Sequence, residues 1–144
     1  MSYFTISEFC ITSDAVPQSI ADKLLGYHIT PMNKVREELG EAVFVSKKSG
    51  WRPKQYELDN GRSGRSEHTF LPSTKDPLGR GAVDYTANRI DDLLELIIKH
   101  TNYTRICYYP NNKFVHCDYG FEERGRRLFK SQSPISSWEF VKNV

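Results

Sequence analysis

Ile90, Leu93, Leu94, Ile97 and Ile98 recur at i, i+3, i+4, i+7 and i+8. This is the most regular apolar pattern in the chain. It predicts an amphipathic helix whose one face the rest of the fold must cover. Asn88 stands before it as an N-cap. The next segment has the other period. Residues 103–109 and 113–119 alternate around Pro110, Asn111 and Asn112, which predicts a β-hairpin. In its second strand Phe114, His116 and Asp118 share one face, and Val115, Cys117 and Tyr119 share the other. A strong helix followed by an antiparallel pair points to the α+β class, an antiparallel sheet with helices packed on one side.

The first third reads as helical. Residues 17–25 carry Ile20, Leu24 and Leu25 at helical spacing. Thr30 is read as an N-cap and Pro31 as the first residue of a second helix, where the missing N–H is harmless. Met32, Val35 and Leu39 share a face, and Gly40 supplies the stop. Residues 42–46 read as a buried strand, and residues 81–85 as another. Between them, residues 49–80 hold Gly50, Gly61, Gly64, Gly79, Pro53, Pro72 and Pro77 with few aliphatics. That is loop composition, and so long a loop in a compact domain is functional or mobile. From Gly120 to Lys130 the tail is polar and basic. Ile135, Trp138, Phe140 and Val141 are expected to dock back onto the body.

The 144 residues suit one domain, residues 1–144. The longest apolar stretch, residues 93–98, contains Glu95, so no membrane span is expected. The first residues lack the basic and apolar regions of a secretory leader, which reads as synthesis in the cytoplasm. Three cysteines match no disulfide scaffold. A net charge of +2 does not argue for nucleic acid. Oligomeric state is not readable.

Of the four histidines, His28 and His100 lie by helix ends, where structural or solvated roles suffice. His68 sits in a glycine- and serine-rich segment. His116 is mid-strand, with Asp118 on its face. Asp84 lies in an otherwise apolar strand, where an ionised carboxylate is costly unless it is paired or holds a metal. Two imidazoles, one carboxylate and an open fourth position are common at catalytic zinc. The plainer alternative is a satisfied core histidine and a helix-capping aspartate. No HExxH is present, so the helix-borne metalloprotease arrangement is absent.

Four segments carry a family likeness in order: Ser49-Gly50-Trp51-Arg52, Gly64-Arg65-Ser66-Glu67-His68, Gly81-Ala82-Val83-Asp84 and Phe114-Val115-His116-Cys117-Asp118. They resemble the SGYR, SxH, GxAxD and HVD landmarks of the zinc D-alanyl-D-alanine carboxypeptidases. These are the VanX/VanY-like peptidases of the hedgehog/DD-peptidase fold, and the likeness is to their phage and bacterial subgroup. The stretch from Phe4 to Phe9 and the helix with Arg36-Glu37 also look like that subgroup. The resemblance runs from about Tyr3 to Tyr119.

The resemblance implies that His68, Asp84 and His116 ligate Zn2+. It implies that Arg52 binds a substrate carboxylate or steadies an oxyanion, a task its forked guanidinium suits. It makes Ser66 a substrate contact or a support beside His68. The implied reaction is attack of zinc-activated water on a peptide carbonyl. The implied substrates are stem or cross-link peptides of peptidoglycan, met by a phage-type wall hydrolase after release or as a virion component.

Two departures qualify the likeness. His68 and Asp84 stand sixteen residues apart, farther than is usual in the family, and Asp76 is a rival ligand. Asp84 is preferred because its strand reproduces the family's, and residues 69–80 then read as a flap by the cleft. The family's glutamate three residues before the last histidine is here Lys113, which cannot act as a carboxylate base. Asp118 is the candidate base, or else the partner that orients His116; Glu67 is a weaker candidate. A catalytically silent zinc-binding or virion structural module of the same fold is the alternative. Arg52, Lys54, Arg62 and Arg65 form a basic edge that is either solvated or attractive to carboxylates. Trp51 reads as core, and Cys117 points away from His116.

Overall fold

The computed structural model describes residues 2–11, 15–46 and 49–144. Its first half is led by one long helical run. Helix α1 (Gln18–Lys23) passes through a π-helical stretch (Leu24–Ile29) into α2 (Thr30–Leu39) without a break. The expected cap at Thr30 is therefore corrected. Thr30 has helical φ and ψ, and its N–H donates to the Leu25 carbonyl five residues back. The cause is Pro31, which cannot donate to Tyr27 and whose ring crowds that carbonyl. Widening the helix there accommodates the ring. The freed Tyr27 carbonyl accepts from the Tyr119 hydroxyl at 2.6 Å. Gly40 ends α2 in the left-handed conformation, as expected.

Six strands follow in one sheet: β1 (Phe44–Val45), β2 (Val83–Thr86), β3 (Arg105–Tyr109), β4 (Phe114–Asp118), β5 (Arg127–Lys130) and β6 (Glu139–Asn143). Their order is β1-β2-β4-β3-β5-β6. The class is α+β, but the sheet is mixed: β3 and β5 run parallel, and the other pairs are antiparallel. Strand β1 is a two-residue edge with Phe44 exposed, and not a buried strand. The hairpin forms, but Lys113 takes a positive φ and belongs to the turn. This moves the register by one, so that Tyr109 pairs Phe114 and Cys107 lies opposite His116. The tail does return, as β5 and β6. Trp138 docks, whereas Ile135 is 98% exposed.

The segment 49–80 is more ordered than its composition suggests. It contains α3 (Lys54–Asp59) and a 3₁₀ turn (Glu67–Thr69). The strong amphipathic pattern becomes α4 (Ile90–His100), with Arg89 rather than Asn88 at its N-cap. Met32, Val35 and Leu39 of α2 and Leu93 and Ile97 of α4 form one core with Val83, Tyr85, Ile106, Val115 and Cys117 of the sheet. Trp51 belongs to the same core, as expected. His100 joins the two helices by meeting Glu38 at 2.8 Å. Strand alternation then leaves Asp84, Cys107, His116 and Asp118 on the sheet face away from these helices. No helix among the described residues is long and apolar enough to cross a membrane.

Candidate metal centre

Three elements bring the centre together. Strands β2 and β4 pair so that Asp84 lies directly opposite His116. The 3₁₀ turn brings in His68, and one ligand atom from each of the three residues lies within 4.8 Å of the others. The Nε2 of His68 is 3.6 Å from Asp84 Oδ1, and the Nδ1 of His116 is 2.8 Å from the same oxygen. A tetrahedral ion with bonds of about 2.0–2.2 Å separates its donors by roughly 3.3 Å, so these spacings need only small adjustment.

Each ring is set by its other nitrogen. His68 Nδ1 lies 3.0 Å from the Gly50 carbonyl, to which only an N–H can donate. That tautomer leaves Nε2 with its lone pair towards Asp84. His116 Nε2 meets Asp118 Oδ2 at 2.8 Å, which leaves Nδ1 towards Asp84. Outer partners of this kind are the usual companions of metal-bound imidazoles.

Asp118 is itself clamped. Arg105 donates to both of its oxygens, at 2.8 and 2.7 Å, and the Gly120 N–H adds a contact at 2.8 Å. Arg105 lies over the rings of Trp138 and Phe121, at 4.9 and 5.3 Å. Trp138 donates to the Tyr109 hydroxyl at 2.7 Å, and its ring centre is 5.3 Å from that of His116.

Without an ion the charges balance by protonation. Burial holds His68 down to about 4, so it is neutral at pH 7. Burial works against the charge of His116 too, but Asp84 and Asp118 on its two nitrogens raise it to about 9. Burial would raise Asp84, yet His68, His116 and Arg52 together hold it below the ordinary carboxylate value. A cation held by the cluster would take the place of the proton on His116 Nδ1.

The rival ligand Asp76 lies outside the cluster. Its carboxylate receives the Arg80 backbone N–H at 2.7 Å and the Arg80 Nε at 3.0 Å. Ser66 Oγ accepts from the His68 N–H at 3.2 Å and so caps the turn that carries the histidine. The Arg52 N–H donates to the His68 carbonyl at 2.9 Å. The Arg52 guanidinium is 3.2 Å from the fully buried Glu57, which also binds Arg62 at 2.9 Å. Two members of the expected basic edge therefore form an internal clamp. Cys117 packs in the core away from His116, as alternation predicted.

Sequence reasoning missed Glu57, Arg105, Trp138 and the Gly50 carbonyl. Arg105 was within reach: pairing the hairpin from Tyr109 and Phe114 puts it opposite Asp118. Trp138 was expected to dock, but its place beside His116 depends on the pairing of β5 and β6. No family model, curated protein or solved structure matches the chain.

Proposed function

We propose that this chain is a zinc metallopeptidase of the hedgehog/DD-peptidase fold that hydrolyses stem or cross-link peptides of peptidoglycan. The observation that carries the reading is the convergence of His68, Asp84 and His116, each imidazole held by an outer partner on one nitrogen so that the other turns inward. Two nitrogens and one carboxylate suit zinc better than magnesium or calcium, which favour all-oxygen sites. Zinc held there supplies a Lewis acid and lowers the pKa of a water to about 7.

The chain's own residues supply the rest. Arg52 is anchored by Glu57, and its backbone N–H holds the His68 carbonyl, which keeps it beside the turn that carries the ligand. There it receives a substrate carboxylate or the developing oxyanion. Ser66 acts through His68 by capping its turn, which favours the supporting role over the substrate contact. The contacts of Asp118 favour the orienting role over the base, because its lone pairs are taken by His116, Arg105 and Gly120. Glu67, half-buried beside His68, is the remaining carboxylate for proton transfer.

The second reading, a silent zinc-binding or virion structural module, draws on the same facts. Asp118 has no free lone pair, and Lys113 sits in a turn where the family carries its glutamate. Incubation with purified wall fragments separates the readings. The peptidase reading expects new amino termini in the presence of zinc, abolished by chelation and by His68→Ala. Zinc-loaded protein that releases none, or a His68→Ala variant with undiminished release, contradicts it.

A further inference from the structure

Beside the metal-ligand cluster, and outside it, the 3₁₀ turn and residues 71–75 enclose a cleft of about 500 Å³. That volume is in the range of small-ligand sites. Its lining is strongly unbalanced in charge. Lys54, Arg65 and Lys75 face one carboxylate, Glu67, whose Oε1 already accepts from Ser73 Oγ at 2.9 Å. None of the three cations makes a salt bridge among the described residues. Glu67 and Thr69, on either side of His68, both line the cleft, so the cleft and the cluster share the turn that carries His68.

The cleft has a fixed rim, contrary to the flap expected at residues 69–80. Asp76 and Arg80 are buried against each other, and Arg80 reaches on to the Tyr119 carbonyl at 3.2 Å and Glu122 at 3.1 Å. The Phe121 N–H donates to the Lys75 carbonyl at 2.8 Å, which ties that residue's backbone to the segment after β4. Gly79 has a φ of +59°, and a Cβ there would meet the Pro72 nitrogen at 2.7 Å. On the other wall Gly64 has a φ of +75°, and a Cβ would meet the Lys54 stem at 3.1 Å. The cations are thus carried on backbone that needs little ordering on binding.

We infer that this cleft is an anion subsite: Lys54, Arg65 and Lys75 receive a free carboxylate of the peptide whose scissile bond lies at the metal centre. The inference rests on the peptidase reading for the identity of that peptide. Its consequence is selectivity for stem peptides with a free carboxylate beside the cleaved bond over the same peptides with that group amidated.

The test uses the full zinc-loaded chain and two synthetic stem peptides. One carries γ-linked D-glutamate with its α-carboxylate free, and the other carries the carboxamide. Binding is followed by the backbone amide shifts of Gly64, Arg65, Thr69 and Lys75. The free-carboxylate peptide is expected to bind about tenfold tighter, the scale of one charge-assisted contact. High salt should shrink the difference. The triple variant Lys54→Ala, Arg65→Ala, Lys75→Ala should erase it, and Lys75→Glu alone should reduce it while the fold is kept. Selective binding without cleavage supports the subsite and contradicts the peptidase reading. Equal binding of the two peptides, selectivity that survives in the triple variant, or no shift with either peptide overturns the subsite.

Discussion

The carboxylate of Asp118 has about four lone-pair positions and receives four donors, from His116, Arg105 twice, and Gly120. Its identity and its strand face were legible from period-two alternation. Its engagement was not, because Arg105 and Gly120 arrive through tertiary pairing. His28 gives the opposite lesson. Its place by a helix end suggested a bland role, and it is fully buried. It lies 2.7 Å from the Tyr103 hydroxyl and 2.8 Å from the Arg80 carbonyl. The carbonyl must accept, so Nε2 carries the proton and Nδ1 accepts from Tyr103. Tyr103 in turn accepts from Tyr85 at 2.7 Å. Burial lowers the His28 pKa to about 4, so the folded chain keeps it neutral. The unfolded chain protonates it from about 6.5 downward. Its contribution to stability is therefore present above pH 6.5 and is lost as pH falls towards 4. Urea unfolding in chelator should show wild type losing up to about 1.4 kcal/mol per pH unit more than His28→Phe across that window. Parallel pH profiles would contradict a buried neutral His28.

At the scale of elements, the sequence was most readable where one period dominates. The faces of α2 and α4 and the hairpin alternation follow from apolar spacing alone. Reading failed where a distant partner set the local conformation. Pro31 looked like a helix start, but the Tyr119 hydroxyl offers its freed carbonyl a partner and the helix runs on. Glycine content made residues 49–80 look like loop, yet Gly50 is there because the chain beside it comes close. A Cβ at Gly50 would lie 2.1 Å from the Phe9 carbonyl oxygen, and the Gly50 carbonyl is what orients His68. Gly26, within the helical run, has nothing within 4 Å of such a Cβ. Gly50→Ala should therefore lower thermal stability and weaken metal binding. Gly26→Ala should raise stability by about 0.5–1 kcal/mol. Calorimetry on both variants checks the pair; a neutral Gly50→Ala would mean that the approach to Phe9 is dispensable.

For the whole molecule, the α+β class, the core and the identity of the cluster residues were all within reach of the sequence. Of the two aspartates weighed as ligands, Asp84 lies in the cluster and Asp76 is engaged by Arg80. The mixed sheet was not foreseeable, because β5 joins β3 in parallel only after the intervening segment has passed from β4 across the end of β3. The same segment brings Phe121 over Arg105, and the connection from β5 to β6 brings Trp138 beside His116, so the tail completes one wall of the site. The account therefore depends on one claim, that His68, Asp84 and His116 form a metal site and not a self-satisfied ion cluster. Zinc titration of metal-free protein by calorimetry, with X-ray absorption on the loaded form, tests it directly. The account predicts one zinc per chain with two imidazole nitrogens and a carboxylate oxygen at about 2.0–2.2 Å. It predicts binding lost in His68→Ala, Asp84→Ala and His116→Ala and weakened about 10- to 100-fold in Asp118→Asn. Absence of stoichiometric binding, or binding indifferent to these substitutions, would contradict it.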